Sequence, residues 1–343
     1  MKTKHLFALC MALLIPLAVS AAARKAITTK ALYTKFQKPD TQCRPFVRWW
    51  WNGDAVEADE LVRELHLLKA AGIGGVEINP ISLPSGADRK NHKTLRWLSD
   101  EWISMLQVVF DEAKRIGMTC DLIIGSGWPF GAETLPVGER ASVMLTAAVP
   151  LTSGERVEIS QFDLFKRVDP GVSVVNRSRT PHLVSAYLVP DPIDDLSAAT
   201  DVTNRFQDGV LTLDVPAQGK YQLYALVQFE SFASVINGAP GAAGSILDHM
   251  NATAVKHYLD HMANTIEAKT GPLSGHLRSF FVDSMELEGT NWTDDFRDEF
   301  LRRRGYDIMP WLPFTMFKVG RLGEVVDYNF GAKKGDRFKG LVD

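Results

Sequence analysis

The sequence holds 343 residues, 45% of them hydrophobic and 23% charged, which is ordinary globular composition. That length suits about two domains, or one large α/β domain carrying an insertion. The formal net charge of -3 offers no basic face for a nucleic-acid partner, and no long run of one sign points to a charged ligand.

The chain opens with Lys2 and Lys4, then an apolar run from Leu6 to Val19, then small residues at Val19-Ser20-Ala21 or Ala21-Ala22-Ala23. This is the layout of a cleaved secretory signal peptide over residues 1–23, so a secreted or periplasmic protein is expected. The run is shorter than the roughly 20 apolar residues a membrane span needs, and no other segment could cross a bilayer. Cys43 and Cys120 then remain. Two buried free thiols are the plain expectation, with a Cys43–Cys120 disulfide as the alternative, and no C-x-x-C metal clamp is present.

From residue 45 onward, strand and helix patterns alternate. Phe46 to Trp51 reads as a strand, and a helix follows with Leu61, Leu65 and Leu68 on one face and Gly72 as its stop. Ile73 to Ile78 reads as the second strand. The next helix is well marked: Ser99 caps it, Asp100 and Glu101 suit its positive end, Lys114 and Arg115 its negative end, and Gly117 closes it. Met118 to Ile124 is the third strand, running into the glycine-rich turn GSGWPFG.

Between about residues 143 and 230 the helical periodicity disappears. Segments around 157–159, 210–213 and 221–229 read as strands between polar turns, so this stretch is expected to be an inserted β-rich subdomain. The rhythm then resumes. A helix carries Val255, Tyr258, Leu259, Met262 and Ile266, and Leu277 to Ser284 reads as a fourth strand. Thr293 can cap a further helix ended by Gly305, and Met309 to Pro313 can open a fifth unit. The fold class expected is α/β: a partial (β/α)8 barrel of four to five units, with residues 24–142 as its first part, 143–230 inserted and 231–343 continuing it. A doubly wound open sheet is the alternative, but no G-x-G-x-x-G follows the first strand.

In parallel α/β folds, functional groups gather at the carboxyl ends of the strands. Those ends carry Trp49-Trp50-Trp51-Asn52-Gly53-Asp54, Glu77-Ile78-Asn79-Pro80, the GSGWPFG turn, and Asp283-Ser284-Met285-Glu286-Leu287-Glu288. Tryptophans that can stack on a sugar therefore share a rim with carboxylates and amides that can bind its hydroxyls. One or two of the three tryptophans must be core, because neighbouring residues on a strand face opposite ways. Glycosidic cleavage uses two carboxyl groups, and Glu286 or Glu288 is placed to be the proton donor, since both follow an apolar strand whose dry surroundings would favour a neutral carboxyl. Nearness to the strand end favours Glu286. His257 and His261 have zinc-helix spacing, but Tyr258 stands where a metalloprotease carries its glutamate, so a solvated helix face is the simpler reading.

The strings RPFVRWWWNGDAV, AGIGGVEI, GSGWPFG, SFFVDSMELEGTNWTDDF and RRRGYD, in that order over roughly residues 44 to 310, resemble glycoside hydrolase family 106. The resemblance implies a (β/α)8 barrel and an inverting exo-α-L-rhamnosidase that removes terminal L-rhamnose from plant or microbial oligo- or polysaccharides. It also implies a calcium ion near the sugar, whose ligands the motifs leave unassigned. It places the acid of the DS-x-E element at Glu286, with Glu288 at the variable position two residues on. The sugar-contacting candidates are Trp50, Trp51, Asn52, Asp54, Glu77, Trp128, Asp283, Asn291 and Trp292. Family members are longer, with the general base downstream of the acid, so a truncated and inactive copy is expected. Two alternatives remain: a non-catalytic carbohydrate-binding remnant, and a related barrel glycosidase acting on another sugar. A zinc hydrolase built on His249, His257 and His261 is more distant.

Overall fold

The computed structural model describes residues 28–87, 93–168, 180–191, 196–230, 233–287 and 290–314. The leader lies outside them. After α1 (Thr29–Gln37) come β1 (Phe46–Asn52), α2 (Ala58–Ala70), β2 (Gly75–Ile81), α3 (Asp100–Ile116) and β3 (Thr119–Ile123). The strands pair in parallel and in sequence. α3 is built as its sequence signals ask: Ser99 Oγ accepts from the Trp102 N–H at 3.2 Å, and Gly117 closes the helix with φ +68°. β2 begins two residues later than its apolar run. The Ile73 N–H turns back to the Leu68 carbonyl at 3.0 Å and closes the turn after α2, while the Gly74 N–H goes to the Pro45 carbonyl, just ahead of β1, at 2.9 Å.

The helices cover one face of this sheet. Trp49, Trp51, Val76, Ile78 and Leu122 point from the strands into an apolar layer with Leu61, Leu65, Trp102, Ile103, Leu106 and Phe110. The opposite face carries Arg48, Trp50, Glu77 and Asp121 on neighbouring register positions.

The middle of the chain supplies β4 (Gly131–Ala132), β5 (Ser142–Leu151), β6 (Arg156–Ser160), α4 (Gln161–Arg167), β7 (Thr180–Pro190), β8 (Thr200–Asp201), β9 (Phe206–Gln207), β10 (Val210–Asp214), β11 (Tyr221–Glu230) and β12 (Ser245–Ile246). β4 and β12 pair with each other, and the other strands form two larger antiparallel sheets, ordered β5-β11-β7-β8 and β6-β10-β9. Leu145, Ala147, Leu223 and Ala225 of the first share a core with Ile159, Leu211 and Leu213 of the second. The stretch expected to hold only strands contains one helix. Ser160 caps α4 by accepting from the Asp163 N–H at 3.1 Å, and Leu164 is fully buried. α4 packs on β5, β6, β7 and β11.

The chain then forms α5 (Ala252–Thr270), β13 (Leu277–Phe281) and α6 (Phe296–Arg304). Asn251 caps α5, and Ala254, Tyr258, Met262 and Ile266 face the layer under the parallel sheet. β13 joins β3 in parallel, giving the order β1-β2-β3-β13. Two expectations are corrected beyond it. α6 starts after Thr293, whose hydroxyl donates to Asp295 at 3.2 Å instead of capping the helix. Residues 309–313 open no strand: Met309 and Leu312 bury against Met144 and Leu226, on the antiparallel sheet. Both cysteines are free thiols, but only Cys120 is buried as expected, and burial pushes its thiol up to about 12; Cys43 is exposed, because it ends a short turn ahead of β1 outside the packed layers. No helix among the described residues is long and apolar enough to cross a membrane.

Leu106 is fully buried where α3 meets the sheet. Leu106→Ala is expected to cost about 2–5 kcal/mol by urea unfolding. A loss below about 1 kcal/mol would contradict the packing described.

Candidate active site

Strand alternation builds the site. On β1, Trp49 and Trp51 are buried, whereas Arg48, Trp50 and Asn52 lie on the open face. Arg48 sits beside Glu77 in the register. Its Nε donates to Glu77 Oε2 at 3.3 Å and its Nη1 to Asp283 Oδ2 at 2.8 Å. The guanidinium also lies 5.6 Å from the Trp50 ring centre and 5.2 Å from that of Phe281. Arg48 therefore ties the first strand to the segment that follows the fourth. Sequence reasoning gave Arg48 no role, although its parity with Trp50 was readable.

A second charged group lies beside it. Asp121 on β3 accepts from Arg278 and from the Ser279 N–H and hydroxyl, at 3.1 and 2.9 Å for the serine. The Arg278 guanidinium covers the Phe46 ring at 4.0 Å. The Arg48 pairs are partly exposed on both sides, so each adds little to stability, whereas the Asp121 carboxylate is buried and needs the donors that Arg278 and Ser279 supply. The effect of both sets is to hold β13 and its continuation in place.

Loops at the strand ends are joined by backbone. Ser126 Oγ donates to the Pro80 carbonyl and accepts from the Ala239 N–H, both at 2.8 Å. Trp128, half-buried, pairs with Ile236 through 3.0 and 2.8 Å bonds. A Cβ on Gly127 would lie 2.2 Å from the Ile236 carbonyl, so only glycine fits there. Glu133 is occupied by Arg96 at 2.8 Å and the Gly241 N–H at 2.7 Å.

The candidates separate by placement. Trp50, Asn52, Glu77 and Asp283 come together on or beside the open face, and Glu286 follows on the same segment. Trp51 does not: it is 1% exposed, edge-on to Trp49 and Trp102, and has no face for a sugar. Trp292 is likewise buried, with Met144 and Leu226. Asn291 spends its amide on the backbone of Met144. Glu286 is exposed and accepts from Ser284 Oγ at 2.8 Å. The dry setting inferred from the strand before it is corrected, because β13 lies at the edge of the described sheet with most of its residues exposed. Glu288 lies outside the described residues.

Asp54 is fully buried just past β1, and neither carboxyl oxygen has a hydrogen-bond partner. Burial raises its carboxyl from 3.8 to about 8; the Trp102 indole faces it without closing a hydrogen bond and offsets only a little. Asn79, also fully buried, has both amide atoms unpartnered. The zinc reading finds no support. His257 is paired with Glu139 at 2.8 Å, and no group of three or more His, Cys, Asp or Glu among the described residues could hold a metal. For the same reason these residues supply no carboxylate set for the calcium that the resemblance implies, and Glu77, Asp283 and Asp121 already face arginines.

A family model described as alpha-L-rhamnosidase matches residues 37–134 and 177–330. A Formosa agariphila protein named "Putative beta-glucuronidase" is 22% identical over 324 residues, covering 86% of this chain and 27% of its own. A solved structure titled rhamnosidase, from Novosphingobium sp. PP1Y, superimposes with TM-score 0.62 at 15% identity, over 82% of this chain and 42% of that one. The chain thus spans less than half the length of either relative.

The buried Asp54 carboxyl gives the fold a pH dependence. Its folded value is raised to about 8, so its contribution is fully present below about pH 4 and is lost as pH rises through 8. Asp54→Asn is expected to flatten stability between about pH 4 and 8, the difference from wild type growing by at most about 1.4 kcal/mol per pH unit. Equal pH slopes in denaturant melts of the two proteins would remove the buried acid from the account.

Proposed function

Since the chain belongs to glycoside hydrolase family 106, we propose that its open sheet face is the sugar site of an exo-α-L-rhamnosidase, with Glu286 as the general acid. In this reading β1, β2, β3 and β13 are four strands of a (β/α)8 barrel, residues 143–230 are its insertion, and the leader sends the protein out of the cytoplasm. The sequential parallel order and the helices on one face support the barrel.

The observation that carries the reading is the cluster of Arg48 and Trp50 on β1, Glu77 within β2 and Asp283 just past β13, next to the segment bearing Glu286. Trp50, 41% exposed, offers a ring for the apolar face of a pyranose. Asn52 and the outward oxygens of Glu77 and Asp283 can accept from its hydroxyls. In hydrolysis the Glu286 carboxyl gives its proton to the leaving oxygen, while a second carboxylate activates water on the opposite face of the ring. Glu77 and Asp283 are both held by Arg48, so neither is offered as that base. An inverting outcome and a downstream base come from the family resemblance, and no step is drawn through calcium.

The Formosa agariphila relative raises a uronic acid as an alternative sugar. A uronate carboxylate needs a cation to meet it, and Arg48 and Arg278 on this face already carry carboxylates. A neutral deoxy sugar fits that face better.

In the enzyme that contains this region, Glu286→Gln is expected to lower turnover of a natural rhamnosyl glycan by about 10²–10⁴-fold. An activated aryl α-L-rhamnoside, whose leaving group needs no proton, should lose far less. Near-full activity of Glu286→Gln on the natural linkage, with activity lost in Glu288→Gln, would overturn the assignment.

A further inference from the structure

The segment carrying Glu286 is held from two different layers of the molecule. On one side Asp283 accepts from Arg48 of the parallel sheet at 2.8 Å. On the other side Leu287 packs against the core of the antiparallel sheets. Asn291, Trp292 and Asp294 are then each tied to those sheets. Asn291 Oδ1 accepts from the Met144 N–H at 2.7 Å, and Asn291 Nδ2 donates to the Met144 carbonyl at 3.0 Å. Ser142 Oγ donates to the Trp292 carbonyl at 3.0 Å. Gln228 Nε2 donates to Asp294 Oδ1 at 2.9 Å. The Trp292 ring is buried against Met144 and Leu226.

β5, which contains Met144, is an edge strand of its sheet. An edge exposes backbone donors and acceptors that need partners. An asparagine amide carries both a donor and an acceptor, and here both go to one residue, as a neighbouring strand would place them. This bond pattern spans 147 positions of sequence.

We propose that Asn291 is a positioning residue for the proposed acid. By completing the edge of β5 it sets where the Glu286 segment lies relative to Arg48 and Trp50, which makes the antiparallel sheets a working part of the site. The consequence for turnover rests on the reading of Glu286 given above. The tie itself is testable without turnover.

Met285, 48% exposed, is a probe beside Glu286, and the buried Met118 and Met262 are controls in the layer under the parallel sheet. Asn291→Asp keeps the side chain's shape and acceptor. Its ionised carboxyl has no donor and turns a second oxygen toward the Met144 carbonyl. Protonation at about pH 4 or below restores a donor. With ¹³C-methyl methionine labelling, the Met285 signal of Asn291→Asp at pH 7 should narrow and move toward the position of free methionine. The Met118 and Met262 signals should stay in place. At low pH the Met285 signal should return to that of the unsubstituted protein at the same pH. Leu287→Ala, which removes the apolar anchor and leaves the amide intact, should shift Met285 in the same direction, and it serves if Asn291→Asp fails to fold at pH 7. An unmoved Met285 in either folded variant would overturn the proposal, and so would Met285 shifting only together with Met118 and Met262. The shift and its low-pH reversal in a protein that cleaves no rhamnoside would uphold the tie and sink only the functional reading.

Discussion

Alternation along β1 is the constraint on which the site depends. Side chains on a strand point to opposite faces in turn. Trp49 and Trp51 occupy the inner face, with ring centres 5.9 Å apart, and Trp51 meets Trp102 of α3 at 6.1 Å. The Trp49 indole also donates to Glu64 of α2 at 2.6 Å. These contacts fix the phase of the strand against both helices. Arg48, Trp50 and Asn52 must then face the other way, because a slip of one residue would exchange the two sets. The chemistry of the open face is set by packing on the opposite side.

Charge on that face is balanced locally. Arg48 joins β1 to the segment after β13, and Arg278 joins β13 to Asp121 of β3. The same end of the sheet buries Asp54 and Asn79 without partners. Leaving such groups unsatisfied costs about 1–3 kcal/mol each. Breaches of local rules of this kind collect at functional sites, and these two residues stand beside the proposed sugar face. A second core lies between the antiparallel sheets, and residues 291–294 are bound to β5 with Trp292 in a separate apolar cluster beside Met144 and Leu226.

Much of this was legible in the sequence, wherever the signal was local. Ser99 and Gly117 marked α3 because a cap is decided within a few residues. Three consecutive tryptophans announced that both faces of β1 mattered, but not the phase, which Trp102 supplies from 51 positions away. The apolar run before Asp283 read as a buried strand, and hydrophobicity cannot reveal that such a strand sits at an edge. Asn291 read as a sugar-binding amide because its true partner, a backbone far away in sequence, leaves no trace in neighbouring residues. Thr293 had the right type for a helix cap and went elsewhere, with its hydroxyl on Asp295.

The central claim is that the face bearing Arg48 and Trp50 meets the sugar. Titrating L-rhamnose while following the indole N–H signals of the tryptophans tests it most directly, without any need for turnover. The expected result is a saturable shift of the Trp50 signal, while the buried Trp51 and Trp102 signals hold still and D-glucuronate at equal concentration shifts Trp50 less. Shifts confined to tryptophans other than Trp50, or a stronger response to glucuronate, would contradict the account.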